Sequence, residues 1–512
     1  MLTLLIVDAT QIQPYIFGSN RLREQIGASH LVSRATGAWA LDALPVPNNV
    51  LEADGASPSL DPRAKIEDGA IAAEALYAGG GHLVAIFRDE GGARSFVSGL
   101  SRRVLTEAPG VNLAYARRSF DWWGQSLADK MDDLHRDLAR VKNRQPPTYP
   151  LLGLGVTAAC GSTGLPAVGY ADSDDDSGAP SPSAALASAE TLAKLDARLA
   201  AEARVRQVFS LDGKYEFPRR TDQLGRSHGE ESHVALVHAD GNGMGKRLRK
   251  IADAHRAPVL NREYIDGIRA FSLGLNEAAA EAQRDVMRQL IGWVEARCFG
   301  PDPPFTLATA ADGRPFLPFR PLVFGGDDLT FMSDGRLGLS LAVAYLRAFE
   351  RRAADLPGGA GPATASAGVA IVKSHFPIAR AYQLAESLTK QAKAYRREIH
   401  DATGQDQATL DWHFAQGGLA GGLMEIRDRE YQTSDGCLIL RPVTLEANPG
   451  PGSGARSWMV VESAIDAFRD QAWRERHNKV KALRDALRAG PDAVASFLTR
   501  FNAGQGLPDV VP

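Results

Sequence analysis

Cysteine is scarce in this 512-residue chain, with only Cys160, Cys298 and Cys437 present. Three scattered thiols exclude a disulfide framework and point to a reducing compartment, the cytoplasm. A surplus of charge is missing too, since 58 basic side chains face 61 acidic ones for a formal net charge of −3. That balance argues against a histone-like nucleic-acid binder while leaving room for a local basic cleft. No apolar run approaches the roughly 20 residues that span a bilayer, so no membrane partner is expected. The opening run Met1 to Val7 is short, lacks a basic flank and meets Asp8. It predicts a buried strand rather than a signal peptide.

What is present is the composition of a soluble globular protein, 44% apolar and 23% charged. The length predicts two to four compact units. A strand at 2–7, an amphipathic helix from Arg21 to about Leu41, and strands near 71–77 and 82–88 around Gly79-Gly80-Gly81 come first. A helix at about 92–107 and a strand at about 111–116 complete a β-α-β-β-α-β order. A polar helix-forming stretch then runs to Arg144, where Gln145-Pro-Pro-Thr-Tyr-Pro150 breaks it. The acidic stretch 171–183 reads as solvated loop rather than a calcium site, and the Ala-rich segment 184–207 as helix.

The same order then recurs. A strand at 233–239 leads to Asp240, helical segments fill 261–298, and strands at 320–324 and 328–333 flank Gly325-Gly326. A helix at 336–353, a strand at 364–372 and a helix at 378–399 follow. Two copies of one plan suggest an internal duplication. The expected fold class is α+β. Two ferredoxin-like palm domains (1–118 non-catalytic, 231–407 catalytic) are joined by a helical linker domain at 119–230. A helical C-terminal domain at 408–512 follows, with 461–489 as its clearest helix.

The chemistry concentrates in the second copy. The apolar strand His233 to Ala239 delivers Asp240 to a sheet edge, and Asp240-Gly-Asn-Gly-Met-Gly-Lys246 lets backbone amides approach a polyphosphate. In this strand order the Gly325-Gly326 turn brings Asp327 and Asp328 beside Asp240. Three carboxylates at one edge repel one another unless a divalent cation neutralises them. Magnesium or manganese suits such oxygen ligands, and a two-metal arrangement suits phosphoryl transfer. Gly-Gly-Asp-Asp alone also suits a plain hairpin turn, but its flanking apolar strands and the upstream Asp-terminated strand favour a site. Lys393, Lys246 and Arg247 are candidates for phosphate contact, and Ser366 for the pocket wall. In the first copy Asp8 matches Asp240, yet Gly79-Gly80-Gly81-His82 offers no acidic pair.

These motifs resemble the large polymerase-cyclase subunit of type III CRISPR effector complexes, and more loosely GGDEF and class III nucleotide cyclases. The resemblance rests on Ile12-Gln-Pro-Tyr-Ile-Phe, Leu22-Arg-Glu-Gln-Ile-Gly-Ala-Ser, Gly79-Gly-Gly-His-Leu and Ala239-Asp-Gly-Asn-Gly-Met-Gly-Lys. Phe324-Gly-Gly-Asp-Asp-Leu, Ser366-Ala-Gly-Val-Ala-Ile and Leu384-Ala-Glu-Ser-Leu-Thr-Lys-Gln-Ala-Lys393 complete it. It implies joining of ATP into cyclic oligoadenylates, with Asp240, the Gly241 carbonyl, Asp327 and Asp328 as metal ligands. Gly241, Asn242, Gly243, Gly245, Gly325, Gly326, Ser366 and Lys393 would bind nucleotide. Effector subunits and guide or target RNA are the implied partners, and homo-oligomerisation stays open.

Three departures from the family accompany it. The chain is expected to begin directly at the first palm, without the HD nuclease domain; His400-Asp401 ends a palm helix and is no substitute. The segment Ala158 to Ala167 keeps one cysteine of a zinc ribbon, so no zinc is expected. Asn242 stands where the family commonly has a second aspartate. The alternatives are a non-catalytic scaffold that binds RNA and protein, and a cyclic dinucleotide synthase.

Overall fold

The computed structural model describes residues 1–51, 59–144, 154–171, 185–224, 233–298, 306–359, 361–415, 422–434, 436–446, 456–469 and 476–501. The proline break at 145–150 and nearly all of the acidic stretch 171–183 lie outside them.

The first sheet is built from β1 (Leu2–Thr10), β2 (Ala73–Gly79), β3 (His82–Phe87) and β4 (Asn112–Phe120), in the order β2-β3-β1-β4. Helices α1 (Leu22–Thr36), α2 (Glu90–Glu107) and α3 (Leu127–Arg144) accompany it. The second sheet contains β5 (His233–Gly241), β6 (Phe319–Gly325), β7 (Asp328–Asp334) and β8 (Ala365–Lys373) in the matching order β6-β7-β5-β8. Its helices are α4 (Asn261–Glu295), α5 (Gly338–Arg352) and α6 (Ile378–Thr403). The mixed α+β architecture with two palm-like sheets therefore matches the expectation.

The two central strands read as unbroken apolar runs because both faces of each sheet are covered. Along β5, Ala235, Val237 and Ala239 enter one core while Val234 and Leu236 enter a second. Along β1, Leu4 and Ile6 join the first of those cores, and Leu5, Val7 and Ala9 join the second. The sheets thus share two continuous cores. Each fully buried Leu, Ile or Val contributes about 1.5–3 kcal/mol of transfer free energy.

The duplication extends to irregularities. The register of β2 against β3 slips between Ala75 and Tyr77, and that of β6 against β7 slips between Pro321 and Val323. Both bulges begin at the same distance from the hairpin turn, at 75 against Gly79 and at 321 against Gly325. Gly79 and Gly80 have φ of 148° and 60°, and Gly325 and Gly326 have φ of 153° and 61°.

Helix α4 is one 35-residue helix, where separate helical segments were expected. Its apolar residues recur at helical spacing through Ile265, Ile268, Phe271, Leu275, Ala278, Ala282, Val286 and Leu290, all buried. An ion-pair network ties it to the first sheet. Arg262 donates to Glu74 at 2.7 and 3.0 Å and to Glu67 at 2.8 Å, and Arg269 donates to Glu74 at 2.8 Å.

Three expectations need correction. The second sheet does not end by 407, because Thr409–Phe414 adds a strand parallel to β8 and Val443–Thr444 adds an edge. Its run Thr409-Leu-Asp-Trp-His-Phe mixes polar with apolar residues and carries no hairpin signal, and α6 supplies the crossover that a parallel pairing needs. The region 461–489 is not one helix: Trp458–Arg469 and His477–Ala489 are separate helices. The Ala-rich segment begins with a short strand, Ala185–Ala187, before helices Ala189–Asp196 and Arg198–Val208.

Candidate metal and nucleotide site

The pairing of Ala239 with Leu329 places the next residues, Asp240 and Asp328, across from each other at the edge of the sheet. Gly326 and Asp327 form the two-residue turn between β6 and β7, with positive φ at the glycine only. That is the pattern of a type II′ turn, which demands glycine first and tolerates aspartate second. One carboxylate oxygen from each of Asp240, Asp327 and Asp328 lies within 4.8 Å of the other two.

Crowding has an electrostatic signature. Burial, then the Asp240 charge, holds the Asp327 carboxyl above the usual carboxylate range. Asp328 stands well above it, through loss of solvation on its inner side first and then the charges of Asp240 and Asp327, although the residue opens to solvent at the edge. Like charges this close favour a proton or a cation. An all-oxygen donor set with mutually raised carboxyl pKa values fits magnesium or manganese.

Gly241 makes the close approach possible, since a Cβ there would stand 2.6 Å from the Asp327 Cβ. Lys393 is not free for phosphate. Its ammonium forms an ion pair with Asp240 and donates to the Gly241 carbonyl at 2.9 Å, the two groups expected to hold metal on that side. Gly368 sets this geometry, because a Cβ there would meet the Ala385 carbonyl oxygen at 2.2 Å. Helix α6 packs that closely over β8 and so brings Lys393 to the edge.

Gly243 adopts φ of 70° and caps the helix Met244–Ala254, which leaves Gly245 and Lys246 exposed in its first turn. Two other expected nucleotide contacts point elsewhere. Ser366 is fully buried, donating to Asn242 Oδ1 at 2.9 Å and standing 2.8 Å from the Thr409 hydroxyl. Asn242 is buried as well, and its amide donates to Thr364 Oγ1 at 3.0 Å. This pair locks the strand edge from inside. Arg247 likewise turns inward, donating to the carbonyls of Leu356 and Gly361 at 2.8 and 2.5 Å.

Two neighbours escaped the sequence reading. Asn276, in the middle of α4, accepts the Gly326 N–H. Tyr345, on α5, is fully buried, and its hydroxyl has no hydrogen-bond partner among the described residues. Burial, and then the charges of Asp327, Asp328 and Asp240, push its pKa up. Neither residue has a local motif, because both reach the site through tertiary packing.

In the first sheet Asp8 pairs directly with His82. His82 thus occupies the Asp328 position and Gly81 that of Asp327. Lys142, on α3, donates to Asp8 at 2.7 Å as Lys393 contacts Asp240. Burial holds the His82 and His135 pKa values down. The lysine–aspartate pair survives there while the carboxylate pair is gone.

Residues 233–400 match the family model described as Cas10/Cmr2, second palm domain. No curated protein sequence matches the chain. A solved Csm1–Csm4 cassette in complex with pppApApA aligns with a TM-score of 0.49 at 13% identity, over 100% of this chain and 65% of that one. Another, in complex with cA4, aligns with a TM-score of 0.43 at 12% identity, over 99% and 68%. Csm1 of T. onnurineus aligns with a TM-score of 0.43 at 14% identity, over 100% and 65%. The chain thus spans about two thirds of the length of these chains. Residues 233–400 are thus similar to the second palm domain of Cas10/Cmr2 proteins.

Proposed function

We propose that this chain is a metal-dependent nucleotidyltransferase that joins ATP into cyclic oligoadenylate second messengers in CRISPR-linked antiviral defence. The observation that carries this reading is the convergence of Asp240, Asp327 and Asp328 within 4.8 Å at the edge of a Cas10/Cmr2-type palm. These carboxylates and the Gly241 carbonyl would hold magnesium or manganese. Bound there, the metals supply Lewis-acid activation of a ribose hydroxyl and neutralise the departing pyrophosphate.

The chain's own groups do the rest. Gly241, Gly243 and Gly245 keep side chains away from the backbone beside Asp240, so amide N–H groups can meet phosphate oxygens. Gly325 and Gly326 keep the turn slim where base and ribose approach. Lys393 holds positive charge on Asp240 and Gly241, and becomes available to a phosphate when a metal takes those oxygens. In this reading the first palm contributes walls to the nucleotide pocket. Effector subunits and guide or target RNA are the proposed partners, in the cytoplasm.

The test is incubation of purified protein with each NTP and magnesium or manganese, with and without RNA, followed by mass spectrometry. Cyclic adenylate product that disappears in Asp327→Ala/Asp328→Ala supports the reading; a cyclic dinucleotide product would redirect it. Absence of product under every condition would favour a second reading, a scaffold that binds RNA and protein. One observation favours that scaffold: Lys393 forms an ion pair with Asp240.

A further inference from the structure

Outside the palm edge, polar side chains also converge in the segment that carries Cys160. There the chain runs Cys160-Gly-Ser-Thr163, and later Ser188-Ala-Glu-Thr191. Each pair has the two-residue spacing by which a turn presents two ligands to one tetrahedral zinc. The turn has the knuckle form: Gly164 N–H donates to the Cys160 carbonyl at 2.9 Å and Ser162 N–H to Cys160 Sγ at 3.4 Å. The hairpin Gly169–Ala171/Ala185–Ala187 leads from one pair to the other.

The four side chains meet. Cys160 Sγ lies 3.4 Å from Thr191 Oγ1, Ser188 Oγ lies 3.2 Å from Thr191 Oγ1, and Thr163 Oγ1 lies 3.2 Å from Ser188 Oγ. These contacts join the four side chains in series. In a tetrahedral zinc site with bonds of about 2.3 Å, the sulfurs stand roughly 3.8 Å apart. The three contacts are somewhat shorter than that spacing. Three hydroxyls are poor zinc ligands beside a thiolate, so the donor set does not fit the metal that the architecture suits.

We infer that this module is a zinc ribbon in which a hydrogen-bonded cluster of Cys160, Thr163, Ser188 and Thr191 has replaced the ion. The cluster does the work of the metal by fastening the turn at 160–164 to the start of helix Ala189–Asp196. Ser188 also caps that helix, accepting the Thr191 N–H at 3.2 Å. The fastened module then grips the first palm. Ser162 Oγ donates to the buried Glu24 at 2.6 Å, and the buried Lys194 donates to the Tyr15 carbonyl at 2.7 Å. A Cβ on Gly27 of α1 would meet the Lys194 carbonyl at 1.7 Å, so the two surfaces are in close backbone contact. Burial raises the thiol pKa, but hydrogen bonds from Thr163, Thr191 and Ser162 outweigh it and bring it down to about 6.

The experiment restores the ligands in the full-length protein as Thr163→Cys/Ser188→Cys/Thr191→Cys and titrates cobalt. The expected result is one tightly held cobalt per chain with sulfur-to-metal charge-transfer bands and tetrahedral visible bands. The unaltered protein should show neither. Thiolate-ligated zinc or cobalt in the unaltered protein, or a folded triple variant without those bands, would overturn the inference. If the triple variant does not fold, Thr191→Val decides through the ultraviolet thiolate titration of Cys160, referenced to Cys160→Ser. Loss of the Thr191 contact should move that titration to higher pH, and an unchanged midpoint would refute the cluster.

Discussion

Asn276 accepts the backbone N–H of Gly326 at 3.1 Å, and its amide nitrogen stands 3.8 Å from where Gly79 would carry a side chain. One residue of α4 therefore touches the turn of both hairpins. In Asn276→Ala the Gly325-Gly326 turn loses its external anchor, worth about 0.5–1.5 kcal/mol. We expect manganese affinity, read by calorimetric titration, to fall roughly two- to tenfold on that basis, with little change in melting temperature. An affinity equal to that of the unaltered protein would show that the turn is set without Asn276.

The carboxylate cluster gives a pH signature. In the fold Asp327 and Asp328 keep their protons to higher pH than in the unfolded chain. Above the unfolded value, about 4, the folded form binds more protons, so metal-free stability falls as pH rises through the raised folded values. Asp327→Asn/Asp328→Asn should lose this slope and melt higher than the unaltered protein at neutral pH without metal. Added magnesium should reverse the order, stabilising only the protein with both aspartates. Melting curves across pH, with and without magnesium, check it.

Gly241→Ala tests the close approach at the strand edge. The added methyl would stand 2.6 Å from both the Asp327 Cβ and Oδ2, so the turn must shift. Nucleotide transfer should drop by about a hundredfold or more, the cost of a misplacement near 1 Å. The sheet should stay folded by circular dichroism. Full activity would place the reacting metals away from Asp327.

Glu74 is fully buried between Arg262 and Arg269. Glu74→Gln removes the one carboxylate that both guanidiniums share, so Arg269 loses its ion-pair partner and Arg262 keeps only Glu67. The expected loss is about 3 kcal/mol of unfolding free energy, read by urea denaturation. A loss under about 1 kcal/mol would mean that Glu67 alone neutralises the pair.

The strand order and the acidic pair could be read in advance because they rest on local signals. Apolar runs ended at Asp8 and Asp240, and glycines marked both hairpins at the correct spacing. The inward turn of Asn242, Ser366 and Arg247 could not be read so. A glycine-rich segment before a helix looks the same whether its polar neighbours face ligand or core. Lys393 was placed at the site by its position on α6, but its partner depended on how closely Gly368 lets that helix descend. The strand Thr409–Phe414 was hidden because its partner β8 lies across an intervening helix. Asn276 and Tyr345 belong to helices chosen for packing, and only the tertiary arrangement gives them neighbours of consequence.

Helix α4 rises about 52 Å over its 35 residues at 1.5 Å each. It is pinned to the first sheet by Arg262 and Arg269, and it meets the acidic turn seven residues beyond Arg269, at Asn276. Such a rod acts as a lever. A tilt of the first palm by a few degrees becomes, about two turns further along, a displacement of the Gly326 amide on the scale of a metal–oxygen bond tolerance. Any partner that grips the first palm alone can therefore tune the spacing of Asp327 and Asp328 without approaching them.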